Sequence, residues 1–278
     1  LLFVAGFINY LDRAIISVAL PLIAIELHLG PAKSGALLSA FFWSYALMQL
    51  PIGWLSDRFN IRWLYAAAFT LWSLTCGFTG FATSFGALII LRVLLGIGES
   101  IYLPGGVKVV SVLFPAEDRG LASGLVNCGT RAGLAFGTPL IAALMTALGW
   151  KHSFFILGFT SLIWLVPWFA LFPAGANTAS FVAGETRGRS MGRVNRNLLG
   201  LSLGHIGYGY YFYLMVTWLP AYLVQSRHLG LKTAGTCAFV PYIVFTLGAP
   251  LAGWLPDRPV AIAWAQVFRR KLLISLAS

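Results

Sequence analysis

Charge is scarce in this chain of 278 residues: only 10% are Asp, Glu, Lys or Arg, whereas soluble domains carry about 25%. A surface so poor in charge excludes an ordinary water-soluble domain. Acids are the rarer sign, 8 against 19 basic residues, for a formal charge of +11. In a soluble protein that excess would suggest a nucleic-acid partner, but no basic patch interleaved with aromatics lies on a polar domain, so we expect none. Cysteine is nearly absent: Cys76, Cys128 and Cys237 are too widely spaced for a metal set or a disulfide framework, and read as buried thiols. No Gly-x-x-x-x-Gly-Lys-Ser/Thr loop occurs, so nothing suggests ATP as an energy source, and Gly96-x-Gly98 lacks the preceding strand of a dinucleotide fingerprint. No Ser, His and Asp group converges on an external face, and no catalytic His or Asp pair marks a span boundary. We expect no enzyme, no catalytic residue, no metal and no cofactor.

What is present is apolar: 59% hydrophobic residues and a mean hydropathy of +0.82. A spanning helix needs about 20 mostly apolar residues, and eight such runs occur, at 1–25, 34–56, 63–83, 86–113, 120–148, 152–172, 198–224 and 233–256. The pattern predicts an all-α polytopic membrane protein. Turn residues separate the runs, and the longest polar stretch, 173–197, is rich in Gly, Arg, Ser and Asn and has little to bury. It reads as a linker between a six-helix N-terminal bundle, 1–172, and a partial second bundle, 198–278. Alternating the loops puts eleven cations on one side (Arg58, Arg62, Arg119, the four linker arginines, Arg258 and Arg269-Arg270-Lys271) and four on the other. Cytoplasmic loops carry the excess of Lys and Arg, so the linker is expected in the cytoplasm.

One hexapeptide occurs twice. Gly53-Trp54-Leu55-Ser56-Asp57-Arg58 returns 200 residues later as Gly253-Trp254-Leu255-Pro256-Asp257-Arg258, each copy ending an apolar run. Parallel repeats are a common way to build a secondary transporter. The copies follow spans two and eight, so a six-span repeat predicts twelve spans. Both ends look incomplete: Leu1 to Leu11 is too continuous with the first span for a cleaved signal peptide, and Arg269-Arg270-Lys271 with Leu272 to Ala277 resembles the start of a ninth span.

The Gly-x-Leu-x-Asp-Arg signature after span two, repeated after span eight, resembles the major facilitator superfamily. Within it, Asn9-Tyr10-Leu11-Asp12-Arg13-Ala14 and Arg92-Val93-Leu94-Leu95-Gly96-Ile97-Gly98-Glu99-Ser100 look like the anion:cation symporter family of organic-anion carriers. The resemblance extends through Phe114-Pro115 with Glu117, Arg119 and Gly120, and Gly149-Trp150 with Phe154-Phe155, and covers 1–258. It implies a multi-pass protein of a bacterial inner membrane. It also implies that Arg13 contacts the anion, that Arg92 pairs with Asp12, that Glu99 and Asp12 take the proton, and that Tyr10 and Tyr45 line a sugar-acid cavity.

The residues support that allocation on their own terms. An ionisable group at mid-bilayer costs a few kcal/mol and persists where it faces a cavity or partner. Asp12 lies half way along span one, and Glu99 roughly 20 Å deep in span four. Arg92 and Glu99, two turns apart, share a helix face, about 10 Å apart along the axis. Asp12 and Arg13 project about 100° apart, so one can face substrate and the other a neighbouring helix. Arginines can grip a carboxylate bidentately, and buried carboxylates can hold protons. The alternative is a buried ion network that only locks the bundle. For Arg131, near the middle of span five, two readings stay open: contact with a second carboxylate or hydroxyl of the substrate, or a structural tie to a carbonyl or to Glu99. Arg13, Arg92 and Arg131 against Asp12 and Glu99 leave one surplus positive charge, which an anion would neutralise.

In the hexapeptide, Gly53 would permit close helix contact, and Asp57 would cap or pair across to a neighbouring helix. Arg58 and Arg62 would stay at the headgroups, and the whole would hold a cytoplasmic gate; Gly253, Asp257 and Arg258 repeat the set, with Pro256 weakening the second latch. Lys108 reads as snorkelling to the surface, as do Glu26, His28, His152 and His228, while His205 fits helix packing or proton relay. Glycines at 96, 98, 105 and 106, and at 129, 133 and 137, are expected to let helices approach closely. The expected function is proton-coupled symport of an organic anion, a sugar acid such as a hexonate, hexuronate or aldarate, by a monomer in the lipid bilayer. The alternatives are a proton-driven drug exporter, which three intramembrane arginines disfavour, an inactive fragment, or an integral-membrane enzyme.

Overall fold

The structure, a computed structural model, describes residues 1–115, 118–173 and 196–237, with 240, 241 and 243 beyond them. Every element among the described residues is helical: α1 Leu2–Glu26, α2 Pro31–Arg58, α3 Ile61–Thr79, α4 Phe85–Glu99, α5 Tyr102–Leu113, α6 Arg119–Ser161, a 3-10 turn Leu162–Trp164, α7 Leu165–Leu171 and α8 Arg196–Gln225. Among the described residues, four stretches are long and apolar enough to cross a membrane: Leu2–Glu26, Pro31–Arg58, Phe85–Leu113 and Ala122–Leu171. The second hexapeptide lies outside the described residues, as do Glu117, nearly all of the linker and the expected start of a ninth span.

Local chemistry sets the helix ends. Asn60 caps α3 by accepting from Arg62 N at 2.9 Å, and Ser84 caps α4 by accepting from Ala87 N at 3.2 Å, while Pro31 opens α2 at a position where no amide donor is needed. The fourth apolar run is two helices, because Pro104 has no N–H to complete the ladder. Ser100 (φ −59°, ψ −20°) and Ile101 (φ −65°, ψ −25°) stay near helical torsions across the break. The fifth and sixth runs form one continuous assignment interrupted at Gly149, whose φ of 78° and ψ of 167° favour glycine. The chain reverses there. Gly129 packs on Phe3 and Gly137 on Leu11, Trp150 reaches Glu26 at the far end of α1, and Trp164 is back at Leu1 O, 3.1 Å away.

α1 is the central strut: 72% of its most apolar window is buried, against 28% in α2. It packs chiefly on α6, while α4 is held between α2 and α3. Close approach explains the glycines on these faces. A Cβ at Gly129 or Gly133 would meet the backbone of Phe3 or Phe7, and one at Gly96 or Gly98 would meet α2 or Trp72 of α3. Gly106 does not fit the expectation, since nothing lies within 4 Å of its Cβ position. An aromatic ladder of Tyr65, Phe69, Trp164 and Trp168, with stacked centroids 4.3 to 5.0 Å apart, seals α3 against α7.

A second trace of duplication emerges at the helix ends. His28-Leu29-Gly30 and His228-Leu229-Gly230 are also 200 residues apart, and both histidines have left-handed φ, 50° and 54°. Both follow the ends of their helices, α1 and α8. Of the three thiols only Cys76 is buried; Cys128 is half-buried and Cys237 exposed, a correction to the expectation for all three.

Candidate functional site

Adjacent positions on α1 turn to different neighbours, as a 100° step requires. Arg13 Nε donates to Glu99 Oε2 at 2.9 Å, with both side chains almost fully buried. The Arg13 guanidinium also lies over the rings of Tyr45 (4.6 Å), Tyr10 (5.0 Å) and Phe41 (5.1 Å), and donates to Tyr213 Oη of α8 at 3.3 Å. Tyr10 and Tyr45, expected to line a sugar-acid cavity, both lie against the Arg13 guanidinium. Asp12 faces α3, accepting from Cys76 Sγ at 3.3 Å with Trp72 beside it.

The expected Arg92–Asp12 pair is not formed. Cys76 takes Oδ1 of Asp12, while Oδ2 and the Arg92 Nε and Nη1 are buried without a hydrogen-bond partner. Arg92 lies over Phe41 at 5.3 Å. Its two-turn separation from Glu99 puts it at another level of α4, so the acid that meets Arg13 is Glu99.

Arg131 belongs to the same aromatic cluster. Its Nη2 donates to Tyr208 Oη at 3.0 Å and its guanidinium lies 4.4 Å from the Phe212 ring. Tyr208 and Phe212 stack at 6.0 Å, Phe212 sits 6.3 Å from Tyr10, and Tyr213 meets Phe42 edge-on at 4.9 Å. Aromatic rings of α1, α2 and α8 therefore surround two guanidiniums. Tyr208 and Tyr213 were missed by sequence reasoning, although Tyr208-Gly-Tyr-Tyr-Phe-Tyr213 is the densest aromatic run of the seventh span. Asn9, buried beside Glu99, was also missed.

At one end of the bundle, Lys108 Nζ donates to Asp57 Oδ1 at 2.9 Å, tying α5 to α2. Lys108 thus reaches the exposed end of the bundle, as the snorkelling reading expects, and there pairs with the hexapeptide acid. Arg58 stacks 4.2 Å over Trp54. Arg62 donates to Phe169 O at 2.7 Å, which fastens α3 to α7 and shows that it does not simply reach the headgroups. Gly53 makes no close helix contact: it lines an open cleft of about 540 Å³ with Gln49, Asp57, Pro104 and Lys108. At the other end, Glu26 accepts from Trp150 Nε1 at 2.6 Å and from Lys151 Nζ, clamping the Gly149 reversal. Gly253, Asp257 and Arg258 lie outside the described residues.

Comparison with known proteins agrees with this architecture. The family model of the Major Facilitator Superfamily matches residues 2–278. The "Probable L-galactonate transporter" of Escherichia coli (strain K12) is 33% identical over 99% of this chain and 64% of its own length. The "D-galactonate transporter" of Escherichia coli O6:H1 is 31% identical over 98% and 69%, and the "Hexuronate transporter" of Bacillus subtilis 31% over 92% and 63%. The chain spans about two thirds of the length of these curated relatives. Among solved structures, a bacterial homologue of the human lysosomal transporter Spinster, inward-facing and occupied, superposes with a TM-score of 0.76 at 22% identity, covering 95% of this chain and 62% of that one. A D-xylose–proton symporter gives 0.64 at 15%, covering 92% and 68%. At these identities the structural likeness establishes the fold.

Proposed function

The chain belongs to the major facilitator superfamily of membrane transporters, and from that premise we propose that it carries out proton-coupled symport of an organic anion, a sugar acid. One observation carries the reading: the buried Arg13–Glu99 pair at 2.9 Å is flanked by Tyr10, Tyr45 and Tyr213. A substrate carboxylate and Glu99 compete for one guanidinium. When the anion takes Arg13, Glu99 is left in an apolar interior without its cation, and a proton neutralises it because an unpaired buried charge is costly. Asp12, held by Cys76, is the second proton station. Hydroxyls of a sugar acid find partners in the surrounding tyrosines, which an unsubstituted fatty acid would leave unused. Three named relatives of galactonate and hexuronate type support the substrate class.

The protein acts as a monomer in a bacterial inner membrane, with 1–172 as one six-span half, 173–197 as a cytoplasmic linker and 198–278 within the second repeat. The Lys108–Asp57 tie and Arg58 form the cytoplasmic gate of the first repeat, and Gly253, Asp257 and Arg258 serve the second. The test is uptake of labelled hexonate, hexuronate and aldarate into proteoliposomes under an imposed proton gradient. Gradient-driven accumulation is expected, and Glu99→Gln should retain exchange while losing the proton dependence. Uptake indifferent to the gradient, or unchanged proton dependence in Glu99→Gln, would sink the coupling.

A further inference from the structure

Resting on the reading above, in which Glu99 takes up a proton when Arg13 turns to the anion, we propose that Asn9 is a positioning residue of the coupling step: its carboxamide receives Glu99 once that carboxyl is protonated. Asn9 is fully buried in α1, and among the described residues neither its Oδ1 nor its Nδ2 has a hydrogen-bond partner. A buried amide unpaired on both atoms is unfavourable, and a second state that satisfies it accounts for its presence. The group beside it is Glu99. Oε2 of Glu99 accepts from Arg13 Nε at 2.9 Å, while Oε1 is buried and, among the described residues, unpartnered. Asn9 and Arg13 are four residues apart, about 6 Å along the same face of α1. Glu99 on α4 therefore meets a cation and an amide on one helix face, and can pass from one to the other by turning its side chain.

The two partners suit the two protonation states. A guanidinium has donors and no acceptor, so Arg13 matches an ionised carboxylate, whereas a carboxylic acid facing it sets its own O–H against N–H. A primary amide carries one acceptor and one donor group side by side. The protonated Glu99 O–H donates to Asn9 Oδ1 while Asn9 Nδ2 donates to the remaining carboxyl oxygen, closing a neutral pair of hydrogen bonds. The charged and titratable groups around Glu99 are Arg13 and Asp12 of α1, Tyr45 of α2, Cys76 of α3 and Arg92 of its own helix. None of them supplies that match: the two arginines only donate, the Cys76 thiol is bonded to Asp12, the Tyr45 ring lies against the Arg13 guanidinium, and Asp12 is a second acid. The step balances. One proton enters on Glu99, the substrate carboxylate replaces Glu99 on Arg13, and Asn9 gains two hydrogen bonds without exchanging a proton.

The experiment follows the proton on Glu99. Infrared difference spectra of the reconstituted protein between high and low pH, with hexonate present, are expected to show a carboxylic-acid carbonyl band that vanishes in Glu99→Gln. Asn9→Leu replaces the amide with an apolar side chain of similar volume. In that variant the band should move to higher frequency, because its hydrogen bonds are gone, and the pH midpoint of labelled hexonate uptake should move about one unit to the acid side. Asn9→Gln should recover part of both shifts, and Asn9→Ala reads them where leucine is not tolerated. The thermal unfolding temperature in detergent should not fall in Asn9→Leu, since the amide has no bonded partner to lose in the empty state. A band and a midpoint unchanged by both Asn9→Leu and Asn9→Ala overturn the proposal and leave proton coupling standing, and a fall in unfolding temperature without either shift does the same by assigning Asn9 to packing. A wild-type protein with no Glu99-dependent band, whose uptake ignores the gradient, overturns the coupling reading and the proposal together.

Discussion

Two ion pairs of the same 2.9 Å length hold this bundle, and they differ in almost everything else. Arg13 and Glu99 are 4% and 0% exposed in their side chains, whereas Lys108 and Asp57 are 12% and 60% exposed. Distance alone therefore says little about what a pair does. Inside, each charge depends on the other because water cannot replace a lost partner; at the rim, water can. The inner pair is suited to exchange partners with an anion, and the rim pair to open and close at little cost.

Breaking each pair sharpens the contrast. Arg13→Ala leaves Glu99 buried beside Asp12 with no bonded cation, and we expect a loss of about 3–5 kcal/mol, read as a fall in thermal unfolding temperature in detergent, together with loss of sugar-acid uptake. Next comes the acid that Arg13 does not touch. Cys76→Ala removes the donor to Asp12 and should cost about 1–3 kcal/mol, whereas Cys76→Ser restores an O–H donor and should recover the proton dependence of uptake; equal behaviour of the two variants would assign Cys76 to packing alone. The smallest effect is at the rim. Lys108→Ala should change stability by less than about 1 kcal/mol and lose even that in high salt, while altering the rate of exchange across the membrane. A double-mutant cycle on each pair gives the direct comparison, and a rim coupling as large as the inner one would refute the distinction.

Depth was legible in the sequence and facing was not. Counting residues from the ends of apolar runs put Asp12, Arg13, Glu99 and Arg131 near one level, and the Arg13–Glu99 bond joins two of them. Which acid met which arginine depended on helix rotation and on what α3 inserts between them, and Cys76 was the decider there. The Lys108–Asp57 tie stayed hidden because its partners come from helices that run side by side, 51 residues apart in the chain. Tyr208 and Tyr213 were hidden for a different reason: an aromatic run in a span reads equally well as lipid-facing surface. The break in the fourth run is visible in retrospect at Pro104, a residue that composition-based span counting passes over.

That break divides labour along a single span. Glu99 is the last residue of the upper segment and Lys108 belongs to the lower one, with Pro104 between them. Gly96 and Gly98 bring the upper segment hard against α2 and α3, while the Lys108–Asp57 tie lies beyond Pro104. Span four thus carries one ion pair on each side of Pro104, the buried Arg13–Glu99 bond above it and the exposed tie beside the Gly53 cleft below it.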